Sequence, residues 1–138
     1  MTLDIKFLVL FSMVFLHIVD DYYLQGLLIN LKQKKWWEKE LKTISLNSPE
    51  NKYKYDYIAA LIIHSFSWSF MVHLIPILVF YFFNYSVGFL LFSIVINLII
   101  HGIIDDFKAN KMKINLVKDQ IIHLIQIIII WFIFIMTL

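Results

Sequence analysis

The sequence predicts an all-α integral membrane protein: a bundle of about four transmembrane helices, with an amphipathic helix lying in the membrane interface between the first and the second. Three observations predict it. Hydrophobic residues make up 61% of the 138 and charged residues only 16%, with a mean hydropathy of +0.78, far from the balance of a soluble domain. Apolar runs long enough to cross a hydrocarbon core of about 30 Å recur along the chain. Basic residues are almost confined to the two polar stretches between such runs. A chain of this length makes one domain, 1–138.

The first span runs from about 5 to 29. It lacks a small-x-small cleavage site and acidic residues interrupt its far end, so it reads as a retained helix rather than a signal peptide. In that far half His17, Asp21 and Gln25 recur every four residues and share a helical face, whereas Asp20 points about 100° away. A polar segment follows, from about 30 to 56. Within it Trp37, Leu41 and Ile44 fall at helical spacing with charges opposite, Glu38 is placed to pair with Lys42, and Trp36 adds a second interfacial aromatic. These features predict the interfacial helix; the alternative is a solvated linker. Ser48-Pro49-Glu50 has the capping serine and first-turn proline of a helix start.

The second span, about 57–83, is apolar apart from His64, Ser65, Ser67, Ser69 and His73, and Pro76 is expected to kink it. Asn84-Tyr85-Ser86 leaves room only for a tight hairpin into the third span, about 87–105. A polar loop of about 106–118 leads to the fourth, about 119–138. All 12 basic residues are lysines, and only Lys6 lies outside the two polar loops. The positive-inside rule therefore makes those loops cytoplasmic and both termini external, in a bacterial inner membrane. Lysines used in this way, at a net charge of +2, give no reason to expect a nucleic-acid partner.

Topology then gathers dispersed residues. His17 and Asp21 end the first span, His64 lies two turns into the second, His101 and Asp105 end the third, and Asp119 and His123 begin the fourth. All seven fall in one layer near the cytoplasmic surface. His-x-x-x-Asp and Asp-x-x-x-His spacing turns both members of each pair to one side of a helix. His73 lies about 13 Å deeper and reads as a packed or hydrogen-bonded core histidine. With no cysteine in the chain, thiolate sites and disulfides are excluded. Converging carboxylates and imidazoles in a low-dielectric layer fit one or two divalent ions of the Zn, Mn, Fe or Ni class, on the plan of di-metal helical bundles. Such a metal could activate water, with Asp119 or Asp21 as the base. A polar network without metal is the alternative.

The signs His17-x-x-x-Asp21-Tyr-x-Leu-Gln25, His64-Ser, His101-x-x-x-Asp105-x-x-Lys108 and Asp119-Gln120-x-x-His123 together resemble the bacterial and phage membrane proteins grouped as domain of unknown function 3307. The resemblance covers nearly the whole chain and implies a small multi-pass protein, distantly similar to inner-membrane proteins labelled metal-dependent hydrolases. It adds Gln25 and Lys108 to the site. Gln25 would orient a ligand or substrate; Lys108 would pair with Asp105 or hold an anionic lipid headgroup, unless it is a loop lysine that only sets orientation. Three functions are compatible with these residues. The expected one is a membrane-embedded metal-dependent hydrolase of a lipid-linked or amphiphilic substrate. The others are a non-enzymatic phage or defence component stapled by its His/Asp cluster, and a metal or proton transporter. The chain has only 3 glycines and neither a glycine-rich phosphate loop nor a G-x-S-x-G elbow. Exposed apolar faces and the serines of the second span make a homo-oligomer an expectation as well.

Overall fold

The computed structural model describes residues 2–44, 53–83, 85 and 88–138, the side chains of 41–44 apart, and those residues are all-helical without a strand. In chain order the elements are α1 (Leu3–Ile18), a π-helical segment (Val19–Leu24), the single turn α2 (Leu28–Leu31), α3 (Lys34–Ile44), α4 (Asp56–Phe82), α5 (Gly88–Ala109) and α6 (Leu116–Met136). Helices α4, α5 and α6 are each long and apolar enough to cross a membrane. The 16 residues of α1 rise only about 24 Å by themselves, so the expected first span of about 5–29 is not one helix. It passes into the π segment, and the break after it falls at Gly26, whose φ of +48° is a left-handed conformation that glycine adopts without a Cβ clash.

The long helices pack as a ring in which α1 touches α4 and α6, and α5 touches α4 and α6. One end of the ring is closed by an apolar core of Val9, Met13, Trp68, Val72, Phe80, Leu90, Ile127, Ile130 and Phe134. The outside is equally apolar: Phe11, Phe15, Ile62, Phe92, Ile125 and Phe132 are all more than half or about half exposed. Such a continuous apolar exterior is foreign to a soluble monomer and fits contact with lipid. The inside of the other end is polar. All five histidines are buried there or just beneath.

Several boundaries differ from the sequence expectation, each for a local reason. Helix α5 continues to Ala109, so Lys108 sits on a helix and not in a loop. Helix α6 begins at Leu116 because the Asn115 side chain accepts a hydrogen bond from the Lys118 N–H at 2.9 Å. The polar loop is thereby shortened to 110–115, and its turn uses Met112 at φ 51°. Pro76 lies within α4, which remains helical through it to Phe82. The amphipathic segment is helical, from Lys34 to Ile44, with Trp36 and Trp37 half-buried and Lys35, Glu38 and Lys39 exposed. Glu38 pairs with Lys34 at 3.8 Å; the expected partner Lys42 has its side chain outside the described residues. The helix start at Ser48-Pro49-Glu50 also lies outside them, as do Asn84 and Ser86 of the expected hairpin.

Asn110 ties the parts together. Its Oδ1 accepts from the Lys34 N–H at 2.7 Å, capping α3, and its Nδ2 donates to the Lys32 carbonyl at 3.1 Å and to Asp106 at 2.9 Å. This clamp fixes the link between α2 and α3 against the end of α5. It also directs Lys32 inward.

Candidate metal centre

The seven sequence-predicted residues come together at the polar end. His64 is the hub: its Nε2 lies 3.1 Å from Nε2 of His101, 3.2 Å from Asp105 Oδ2 and 3.5 Å from Asp21 Oδ1. Nε2 of His123 lies 3.3 Å from Asp119 Oδ1 and 3.6 Å from Asp105 Oδ1. Two overlapping groups, Asp21/His64/His101 and His101/Asp105/His123, each bring three ligand atoms close enough to hold a metal ion. Nitrogen or oxygen donors about 2.0–2.2 Å from a tetrahedral ion lie roughly 3.3–3.6 Å from one another. The observed separations bracket that edge. Asp105 belongs to both halves, turning Oδ2 to His64 and Oδ1 to His123.

Hydrogen bonding constrains which nitrogens carry protons. At the far end of one chain of contacts, the Asn97 amide donates to the Ser93 carbonyl at 2.9 Å, which can only accept. Asn97 Oδ1 therefore faces Gln126 as an acceptor, the Gln126 amide donates to it at 3.3 Å, and Gln126 Oε1 is left facing His123 Nδ1 at 3.1 Å. Nδ1 of His123 must then be an N–H, and Nε2 faces two carboxylates, offering them a lone pair to share with a metal ion when the ring is neutral and an N–H when it is protonated. The chain continues deeper, where His73 Nδ1 donates to the Ser69 carbonyl at 2.7 Å and its Nε2 accepts from the Ser93 hydroxyl at 2.9 Å.

His64 is oriented in the same sense. The Gln25 amide donates to Asp21 Oδ1 at 3.1 Å and points to His64 Nε2 at 3.4 Å, while Nδ1 of His64 faces Asp20 Oδ2 at 3.8 Å. Asp20 is held in turn by the Ser67 hydroxyl at 2.5 Å. Nε2 atoms of His64 and His123 thus converge with carboxylate oxygens of Asp21, Asp105 and Asp119. Asp119 Oδ1 and His123 Nε2, which face each other at 3.3 Å, are buried without a hydrogen-bond partner, which costs stability unless a metal ion or a proton between them supplies the link.

His17 plays a different part from the other three histidines of the layer. Trp68 Nε1, which can only donate, reaches His17 Nδ1 at 2.7 Å, so the His17 proton is on Nε2 and points to Gln120 Oε1 at 3.1 Å. Gln120 passes the order on by donating to Asp21 and Asp119, both at 3.1 Å. In this arrangement both nitrogens of His17 are engaged and it orients the carboxylates through Gln120. Trp68 also stacks on His101, with ring centroids 4.2 Å apart, and floors the site.

Three participants depart from the sequence expectation. Asp20 is turned inward beside Asp21 and is 1% exposed; the wider π turn from Val19 to Leu24 changes the angular step that would otherwise aim it away. Lys108 pairs with Asp119 at 2.5 Å, not with Asp105. Asp105 is instead met by Lys32, also at 2.5 Å, whose side chain is only 8% exposed. No spacing rule links Lys32 to a residue 73 positions away; its place between Gly26 and the α3 start is the only local sign. Asp106 stays at the rim, paired with Lys111 at 2.8 Å.

Comparison with protein-family models finds no match. Comparison with curated proteins and with solved structures likewise finds no match. The functional reading therefore rests on the chain's own geometry.

Proposed function

We propose that this chain is a membrane-embedded, metal-dependent hydrolase acting on an amphiphilic substrate near the cytoplasmic face. The observation that carries the reading is the convergence of His64 and His123 Nε2 with carboxylate oxygens of Asp21, Asp105 and Asp119, with orphaned polar atoms among them. A divalent ion of the Zn, Mn, Fe or Ni class satisfies such a mixed imidazole and carboxylate set. One ion would take Asp21, His64, His101 and Asp105; a second would take Asp105, His123 and Asp119. A metal bound here would lower the pKa of coordinated water. Asp119 and Asp21 are the candidate bases, each held in place by Gln120.

In this proposal α1 and the π segment together form a fourth span of a bacterial inner-membrane bundle. The lysine-bearing end faces the cytoplasm and both termini lie outside. Helix α3 lies along the interface with its tryptophans toward the lipid headgroups. The resemblance to the domain of unknown function 3307 proteins is carried on the same four sequence signs.

One observation favours a second, non-enzymatic reading. Lys32 and Lys108 already neutralise Asp105 and Asp119, so the cluster could staple the bundle as a polar network. Metal analysis separates the two. Detergent-purified protein is expected to carry one or two equivalents of a transition metal, lost in a His101→Ala/His123→Ala double variant. Metal-free wild type after purification without chelators and reloading with Zn or Mn would refute the hydrolase.

A further inference from the structure

Two cavities adjoin at Tyr22 and Gln120, and their chemistry differs. The first, about 420 Å³, is lined on its inner side by Asp21, Gln25, Lys32, Asp105, Lys108 and Gln120. The second, about 540 Å³, runs along the outside of α1 and α6 over Val14, Ile18, Tyr22, Tyr23 and Leu124. Tyr22 and Gln120 line both, so the apolar groove on the outer flank adjoins a chamber of mixed lining that holds the candidate metal ligands Asp21 and Asp105. Both volumes fall within the range of small-molecule sites.

From this juxtaposition we infer that the substrate class is a single-chain lipid phosphate monoester. Its acyl chain lies in the α1/α6 groove and its phosphate lies in the chamber between Lys32 and Lys108. The inference rests on the hydrolase reading for its chemistry but not for its binding site. Charge selects the headgroup. Asp20, Asp21, Asp105 and Asp119 against Lys32 and Lys108 leave two negative charges, which one divalent ion cancels. A second ion would leave two positive charges in a low-dielectric site, and a phosphate monoester dianion matches them. An uncharged ester or amide does not. Lys108, whose side chain is 30% exposed, is placed at the chamber edge to contact a phosphate oxygen while still near Asp119.

Shape selects the chain. A soluble phosphate would use the chamber and leave the groove empty, whereas the groove opens laterally where exposed Tyr22, Tyr23 and Ile18 meet lipid. In hydrolysis the oxygen of water bonds to phosphorus as the P–O bond to the lipid breaks. The proton that Asp119 takes from the water passes to the departing alkoxide. The products are the lipid alcohol and inorganic phosphate.

The test is native mass spectrometry of the detergent-purified full chain loaded with Zn or Mn, titrated with lysophosphatidic acid, monoacylglycerol or glycerol 3-phosphate. The expected result is that lysophosphatidic acid binds at least tenfold more tightly than either of the others and raises metal occupancy from one ion to two. Lys108→Gln should weaken lysophosphatidic acid about tenfold, and Leu124→Trp should collapse its preference over glycerol 3-phosphate. Equal binding of monoacylglycerol, or a Leu124→Trp protein with undiminished preference, overturns the lipid phosphate inference while leaving the metal centre standing. Chain- and Lys108-dependent binding of lysophosphatidic acid to protein that takes up no metal supports the lipid site and overturns the hydrolase instead.

Discussion

Replacing Gln126 with leucine tests whether the buried amide chain orients the metal ligands. Gln126 is 7% exposed and joins Asn97 Oδ1 at 3.3 Å to His123 Nδ1 at 3.1 Å. Leucine fills similar volume but leaves both groups without a partner, at a cost of about 1–3 kcal/mol each for buried polar atoms. The larger consequence is chemical. Without an acceptor at Nδ1, nothing holds the His123 lone pair on Nε2 toward Asp105 and Asp119. Loss of such an outer partner lowers metal affinity about 10–100-fold, or roughly 1.4–2.7 kcal/mol at 1.36 kcal/mol per decade. Competition with a chromophoric chelator in detergent measures that directly. Circular dichroism should show unchanged helicity, since the site lies on one flank of an intact apolar core. Nitrogen-15 spectra of labelled histidine add an independent reading, because the metal-free wild type should hold His123 as the Nδ1–H form. Wild-type affinity in Gln126→Leu, or His123 found as the Nε2–H form in the wild type, refutes the reasoning.

Other changes separate stability from function. Lys32→Met strips Asp105 of its buried ammonium partner, which costs about 3–5 kcal/mol in the metal-free state and leaves a more negative site. The metal-free protein should melt lower and gain more from added metal than wild type does; thermal melts with and without Zn decide it. Trp68→Phe removes the donor to His17 at 2.7 Å and should lower stability by about 1–3 kcal/mol, read by the same melts, while retaining the ring that covers His101. Gly26→Ala places a Cβ at φ +48° and should cost about 1 kcal/mol, with no loss of metal equivalents by mass spectrometry. Asp119→Asn should abolish turnover of any substrate found by screening lipid phosphates while the protein stays folded. Full activity in that variant would remove Asp119 from the role of base.

Much of the site is legible in the chain because two independent rules coincide. Four-residue spacing pairs His101 with Asp105 and Asp119 with His123, and a hairpin topology puts those pairs at one level with His64 and His17. Neither rule reaches the residues that orient them. Asp20 is assigned to the wrong face by a uniform 100° step, which the π segment breaks; two adjacent aspartates before Tyr22 and Tyr23 give no sign of that break. Lys32 comes from a connecting turn whose path depends on Gly26 and on the Asn110 clamp, a contact between segments 76 positions apart. Gln126 and Asn97 read as isolated polar residues in isoleucine-rich helices, and only the packing of α5 against α6 makes them consecutive links.

Those same residues change the grounds on which a metal is expected. Converging carboxylates by themselves call for positive charge, and Lys32 and Lys108 supply part of it. Charge therefore leaves room for an ion without demanding one. Orientation adds a second constraint: backbone carbonyls at Ser93 and Ser69, which can only accept, impose a polarity on the buried chain that places a proton on His123 Nδ1 and turns Nε2 toward carboxylate oxygens. A structural network reaches the same polarity with a doubly protonated ring, Nδ1–H donating to Gln126 and Nε2–H to Asp119. His123 Nε2 and Asp119 Oδ1, 3.3 Å apart and buried, are joined either by a metal ion, as in the hydrolase, or by a second proton on the imidazole, as in a polar staple, and the metal and histidine measurements above tell the two apart.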